Sequence, residues 1–134
     1  MSVFHDQAQF MRATEQQKDA PLYLDLVREE YHELLAAWGK RDFGAKPLAE
    51  RQAEIADAIM DSIYVLAGLA NCLYGPEMSL RMFKEVHHSN MSKVQAVEGL
   101  DGVEYIVKRR DDGKILKPET FWAPDLVAII RGQK

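Results

Sequence analysis

Two pairs of acids, each three residues apart on a segment that reads as an apolar helix, constrain this chain most. The first is Glu30-x-x-Glu33, within Arg28-Glu29-Glu30-Tyr31-His32-Glu33-Leu34-Leu35. The second is Glu54-x-x-Asp57, within Glu54-Ile55-Ala56-Asp57-Ala58-Ile59-Met60-Asp61. Residues three apart on a helix are surface neighbours, so each pair presents its carboxylates side by side. On the first segment Leu26, Glu30, Glu33 and Ala37 share a face, with Val27 and Leu34 alongside. On the second, Glu54, Asp57, Asp61 and Val65 form a stripe among Ile55, Ile59, Met60, Ile63, Tyr64, Leu66 and Leu69. Acids that interrupt an apolar face must be compensated, because buried unpaired charge is expensive. Hard oxygen donors without paired cysteines suit Mg²⁺, or Mn²⁺ in its place, and the usual substrates of those ions are polyphosphates.

Other readings of the same acids stand beside this one. Both pairs are also compatible with solvated faces, or with neutralisation by Arg28, Arg51 or Arg81, although none of these falls in the acidic stripe. Glu29-x-x-His32 and Glu85-x-x-His88 have the spacing of di-iron carboxylate bundles. The phase of Glu29 and His32 places them beside Arg28, away from Leu26, Glu30 and Leu34, and the first helix offers only Glu15 as a further inward acid.

The remaining pattern is helical. Residues 2–18 predict a first helix, with Val3, Phe4, Phe10 and Met11 on its apolar side. Pro21 suits the first turn of a second helix running from about Leu22 to Trp38, with Gly39 as a left-handed cap. After a loop from Gly39 to Pro47, a third helix runs from Leu48 to Leu73. Gly75-Pro76 ends it and opens a fourth, from Met78 to Met91. Further on, Val103 to Lys108, the turn Asp111-Asp112-Gly113 and Lys114-Ile115-Leu116 predict a β-hairpin. Asp125 caps a last short helix through Ile130. The expectation is an all-α, antiparallel bundle of about four main helices with a small C-terminal hairpin, in a single domain over residues 1–134.

Composition narrows the function. A formal charge of −4 disfavours a general binder of nucleic-acid polymers. The start of the chain lacks the basic and apolar regions of a signal peptide. The apolar stretch Ile55 to Tyr74 is interrupted by Asp57, Asp61, Ser62 and Asn71, which argues against a membrane span. Cys72 is the sole cysteine, so no internal disulfide forms and a reducing cytoplasm is expected. Its apolar neighbours make it a small core residue. The third helix is apolar on too many sides for one small bundle to cover, so a helix–helix interface between at least two chains is expected.

Together these blocks resemble the all-α nucleoside triphosphate pyrophosphatases, the MazG-like superfamily, and within it the phosphoribosyl-ATP pyrophosphohydrolase-like branch. The resemblance rests on Glu29–Leu34, on Glu54–Ala58 with Tyr64-Val65, and on Phe83–Lys93 with Asp112–Pro118, and spans roughly residues 4–126. It implies hydrolysis of a nucleoside triphosphate between the α- and β-phosphates, giving a monophosphate and pyrophosphate, near a subunit contact of a homodimer or homotetramer. It also implies that Glu30, Glu33, Glu54 and Asp57 bind Mg²⁺. One of Glu29, Glu30, Glu33 and Glu54 would then orient the attacking water as a catalytic base. Asp61 extends the stripe as a further ligand, an outer partner or a structural acid. Asn90 and Lys93 match positions that approach the nucleotide, and Lys114 would reach phosphate from the hairpin. Biosynthetic members are shorter and lack a tail like Asp101 to Lys134, so clearance of a non-standard or surplus nucleotide stands beside the biosynthetic role. A non-catalytic nucleotide-binding module on the same fold would be expected to have lost one of the four acids.

Overall fold

The computed structural model describes residues 2–134, with Ala96 described by its backbone alone. The elements follow in the order α1 (Val3–Ala13), α2 (Ala20–Gly39), α3 (Leu48–Met91), β1 (Gln95–Gly99), β2 (Gly102–Ile106) and α4 (Leu126–Ile130). The class is all-α with a small hairpin, as the sequence predicts. The chain divides into two compact units, Met1–Ser79 and Leu80–Lys134.

In the first unit, Ser2 caps α1 by accepting a hydrogen bond from the His5 amide. The helix stops at Ala13, five residues short of the expected end. Its stop is a Schellman turn: Gln16 N–H donates to Met11 O at 2.9 Å and Glu15 N–H to Arg12 O at 3.2 Å. Glu15 occupies the left-handed position, at φ 55°. Glycine normally marks that position, so a glutamate there hides the helix end from sequence reading. Asp19 then caps α2 by accepting from Leu22 N at 3.0 Å, with Pro21 in the first turn.

Gly39 is the last residue of α2 and not a left-handed cap. The end is closed otherwise. Lys40 and Arg41 amides donate to Ala37 and Trp38 carbonyls, and the Arg41 guanidinium bonds Trp38 O at 2.8 Å while lying 4.0 Å over the indole. With those carbonyls satisfied, no left-handed residue is needed.

The Gly75-Pro76 break is present. Gly75 adopts φ 76° and ψ 166° inside α3, so the segment is two helices joined at a kink, as expected. By length and composition alone, and against the sequence expectation, α3 holds an 18-residue window apolar enough to cross a membrane. Only 22% of that window is buried, and core helices of soluble proteins pass the same test.

A buried polar spine joins the three helices of this unit. Asn71 Nδ2 donates to Phe4 O (2.8 Å) and Gln7 Oε1 (2.9 Å), and Gln7 Nε2 donates to the Tyr23 hydroxyl (2.9 Å). Tyr23 in turn donates to Gln16 Oε1 at 2.6 Å. Burial raises the Tyr23 pKa, keeping the hydroxyl protonated as a donor. Phe4 meets Asn71 while Phe10 meets Tyr64 edge-on at 5.7 Å, so α1 runs antiparallel to α3. The Tyr23 ring lies so close to Gly68 that a Cβ there would fall 2.1 Å from its Cε1.

In the second unit the hairpin differs from the sequence expectation. Gly102–Ile106 pairs antiparallel with Gln95–Gly99, across a turn at Leu100-Asp101. Lys114 to Leu116 contributes only the isolated bridge Arg109↔Ile115, although the Asp112-Gly113 turn itself forms. Pro118 curtails that return strand, whereas Gln95–Gly99 offers five consecutive partners. Its weak alternation, with Val97 the one β-branched residue, explains the oversight. Asp125 caps α4 as expected, accepting from Ala128 N at 3.0 Å. Buried Glu85 anchors this unit: it accepts from Lys134 Nζ (2.6 Å) and Asp125 N (3.1 Å), which hold its carboxyl below the usual range.

The Tyr23–Gly68 contact generates a test. Gly68→Ala gains roughly 1 kcal/mol of helix propensity but collides with the ring and with Gln7. The expected net result is a loss of about 1–3 kcal/mol in urea unfolding, the range for overpacking a core.

Candidate active site

The helical phase read from the sequence places the acids together. Glu30 and Glu33 on α2 face Asp57 and Asp61 on α3, close enough that Glu33, Asp61 and Asp57 each raise the pKa of Glu30. Burial is the largest cause of that rise and the repulsion of Glu33 the next. Glu30 Oε2 is shielded from solvent and has no hydrogen-bond partner. A shielded, unpartnered carboxylate oxygen amid three other acids is an unsatisfied arrangement, which a proton or a cation resolves.

Glu54 faces the same space. Glu33, Glu54 and Asp57 line a cavity of about 240 Å³ together with Lys40, and Ala36, Ala37 and Ala58 keep it open by their small size. Lys46, from the loop between α2 and α3, forms an ion pair with Glu54. That hydrogen bond is the main reason the Glu54 pKa is lowered and the Lys46 pKa raised. Among the described residues, no three His, Cys, Asp or Glu side chains converge tightly enough to enclose a metal ion as they stand. Lys46 holds one of the five acids, Glu54. The donor set of hard carboxylate oxygens and the orphaned Oε2 nevertheless fit a hard divalent cation.

Other expected site residues are placed differently. Glu29 is exposed and is not among the acids that act on Glu30. Arg28 pairs with Asp25 at 3.1 Å, and Arg51 bonds the Arg41 and Lys46 carbonyls, so neither serves the acids. The Glu85-x-x-His88 element of a di-iron site is committed elsewhere, since Glu85 is held by Lys134 and Asp125 N. In the second unit Lys93 Nζ donates to Asn90 Oδ1 at 3.1 Å and lies 5.6 Å from the Phe121 ring centre. Lys114 is exposed on the Asp112-Gly113 turn, its amide donating to Asp112 Oδ1. Sequence reasoning missed Lys40 and Lys46. Lys40 lies one residue past the end of α2, where helical periodicity stops, and Lys46 lies on a loop with no periodicity to place it.

The crowding of acids has a measurable consequence. A folded-state pKa raised above the unfolded value stabilises below the ordinary carboxylate range and loses that stabilisation as pH rises through the raised value. In chelator, the thermal midpoint is therefore expected to fall as pH increases from the ordinary carboxylate range towards neutrality. Glu30→Gln should flatten that fall and melt above the wild type at neutral pH.

The comparisons with known proteins come to one family. No curated protein matches the chain. The family model described as phosphoribosyl-ATP pyrophosphohydrolase matches residues 3–90. That span contains all five acids and Asn90, and it stops before Lys93, the hairpin and Lys114. The chain thus belongs to the phosphoribosyl-ATP pyrophosphohydrolase family, and its function is nucleotide pyrophosphohydrolase-like.

Proposed function

We propose that the protein is a Mg²⁺-dependent nucleoside triphosphate pyrophosphohydrolase that cleaves between the α- and β-phosphates. The observation that carries this reading is the meeting of Glu30 and Glu33 with Asp57 and Asp61 around an unpartnered Glu30 oxygen, beside Glu54. Glu33, Glu54 and Asp57, which wall the cavity, would hold the ion, with Glu30 and Asp61 completing the acidic cluster. When bound, Mg²⁺ neutralises phosphate charge and lowers the pKa of water. Lys40 lines the same cavity and supplies a point charge to a phosphate oxygen. Lys46 neutralises Glu54 and is free to pass to the substrate when Glu54 takes up the ion. The products would be a nucleoside monophosphate and pyrophosphate. A role in clearing surplus or non-standard nucleotides accords with this chemistry as well as a biosynthetic one does.

The acid-lined cavity, at about 240 Å³, falls below the roughly 300–1,000 Å³ of sites that enclose a whole small ligand. It takes the phosphates, and the base and sugar need further walls. The first unit exposes Tyr31, Leu35 and Trp38 on α2 and Met60, Ile63 and Leu66 on α3. This reading covers that apolar surface with a second copy of the chain, as a homodimer or homotetramer, rather than with lipid.

Two experiments test the reading. Wild-type protein with Mg²⁺ should release pyrophosphate and monophosphate in equal amounts from at least one member of a panel of dNTPs, NTPs and phosphoribosyl-ATP. Asp57→Asn should cost more than about 100-fold, the upper figure for losing a mere outer partner of a metal ligand. Release of orthophosphate alone, or activity untouched by chelation and by Asp57→Asn, would sink it. Light scattering should give a multiple of the chain mass, and Ile63→Glu with Leu66→Glu should lower it. A wild type that runs as a monomer removes the oligomeric part.

A further inference from the structure

A second and larger cavity of the first unit, about 700 Å³, takes no lining residue from the loop between α2 and α3, whereas the acidic one takes Lys40. That loop is built around Arg51, three residues before Glu54 on α3. Residues at that spacing are neighbours on a helix surface, so Arg51 and Glu54 stand side by side.

The two grip one residue at both its ends. Arg51 Nε donates to Lys46 O at 3.1 Å, while the Lys46 ammonium donates to Glu54 Oε1. Arg51 also donates, through Nη1, to Arg41 O, so a single guanidinium ties both ends of the segment from Arg41 to Lys46. Arg41 is itself fixed, by its bond to Trp38 O and its stacking on the indole. The residues from Asp42 to Glu50 are exposed, whereas Arg41 and Arg51 are half-buried. An exposed lysine ordinarily gains little from an ion pair, because holding the long side chain in one place costs rotamer entropy. Here the Lys46 backbone is already pinned within reach of its carboxylate, which removes part of that cost.

The ammonium sits on a carboxylate that the proposed function gives to Mg²⁺. Glu54 walls the acidic cavity with Glu33 and Asp57, and among the described residues it is the one acid of the five held in an ion pair. Two cations on one carboxylate repel each other, so both claims on Glu54 are not met at once.

We infer that Arg51 is a positioning residue, which holds Lys46 on Glu54 as a resident counter-ion, and that a divalent ion takes Glu54 by exchange with Lys46. The inference rests on the reading of these acids as a Mg²⁺ site and adds a control on its filling. A bare ion must break the Lys46 pair with nothing in return. An ion that arrives on a polyphosphate brings an oxygen to receive the ammonium. The resting chain therefore discriminates against free divalent ions in favour of the ion–nucleotide pair.

The test is Mn²⁺ binding to the intact protein without nucleotide, followed by the electron paramagnetic resonance of the free ion. Lys46→Gln removes the competitor and should bind Mn²⁺ about two- to fivefold more tightly, the worth of an exposed ion pair. Lys46→Arg, which keeps the charge, should bind as the wild type does. Arg51→Gln should tighten binding in the same direction, and the double variant no further than Lys46→Gln alone, because both act through one contact. Damage to the loop would weaken binding, so a gain separates exchange from a merely structural role. Affinity unchanged or lowered in Lys46→Gln would overturn the exchange, and the same result in Arg51→Gln would overturn its positioning role. If wild type and Lys46→Gln both bind no Mn²⁺, the metal reading itself falls and this inference with it.

Discussion

The close approach of Tyr23 to Gly68 sets the geometry on which the site depends. Only a residue without a Cβ lets the ring lie against α3 as it does, and the contact fixes both the spacing and the register of α2 on α3. Glu30 is seven residues beyond Tyr23 (30 − 23), and Asp61 seven before Gly68 (68 − 61). On antiparallel helices of 3.6 residues per turn, two turns from a contact in each direction brings the same faces together again. The acids meet because the tyrosine and the glycine meet two turns earlier. A packing contact and a chemical site are thus one arrangement, and the buried hydrogen bonds of Gln7 and Asn71 hold it against slippage.

That register explains why so much of the site was legible in the sequence. Helical periodicity alone put Glu30, Glu33, Asp57 and Asp61 on facing stripes, and the structure makes them electrostatic neighbours. The Gly75-Pro76 break and the Asp125 cap were equally legible, because each relies on a residue whose backbone chemistry is local. What escaped was set by non-local or uncommon solutions. Lys46 reaches Glu54 from a loop. Glu15 ends α1 in a conformation that its type seldom adopts. Gly39 looked like a cap, yet Arg41 closes α2 from beyond it. The strand Gln95–Gly99 carries so little β signal that only its partner across a two-residue turn defines it.

The acid cluster also illustrates a cost that the fold accepts. Shielding Glu30 beside Glu33, Asp57 and Asp61 opposes its ionisation, so the arrangement is worse for the metal-free chain than an apolar interface would be. Lys46 relieves only Glu54, at the edge of the group. Five carboxylates with one paired cation leave most of the charge uncompensated, and folding alone gives no reason to keep it. A stability deficit concentrated in acids beside a cavity that Glu33, Glu54 and Asp57 line is the pattern of a site shaped for a charged ligand.

The two cavities of the first unit are lined by different chemistry. The acidic one sets Glu33, Glu54 and Asp57 beside Lys40, which suits a cation together with the phosphates it carries. The larger one is walled by buried Ala8 and Met11 and carries Arg12, Glu15 and Lys18 on its exposed rim. Because Tyr23 belongs to the spine that orders Asn71 and also sets the register that assembles the acids, the helix packing that builds one cavity cannot shift without moving the other.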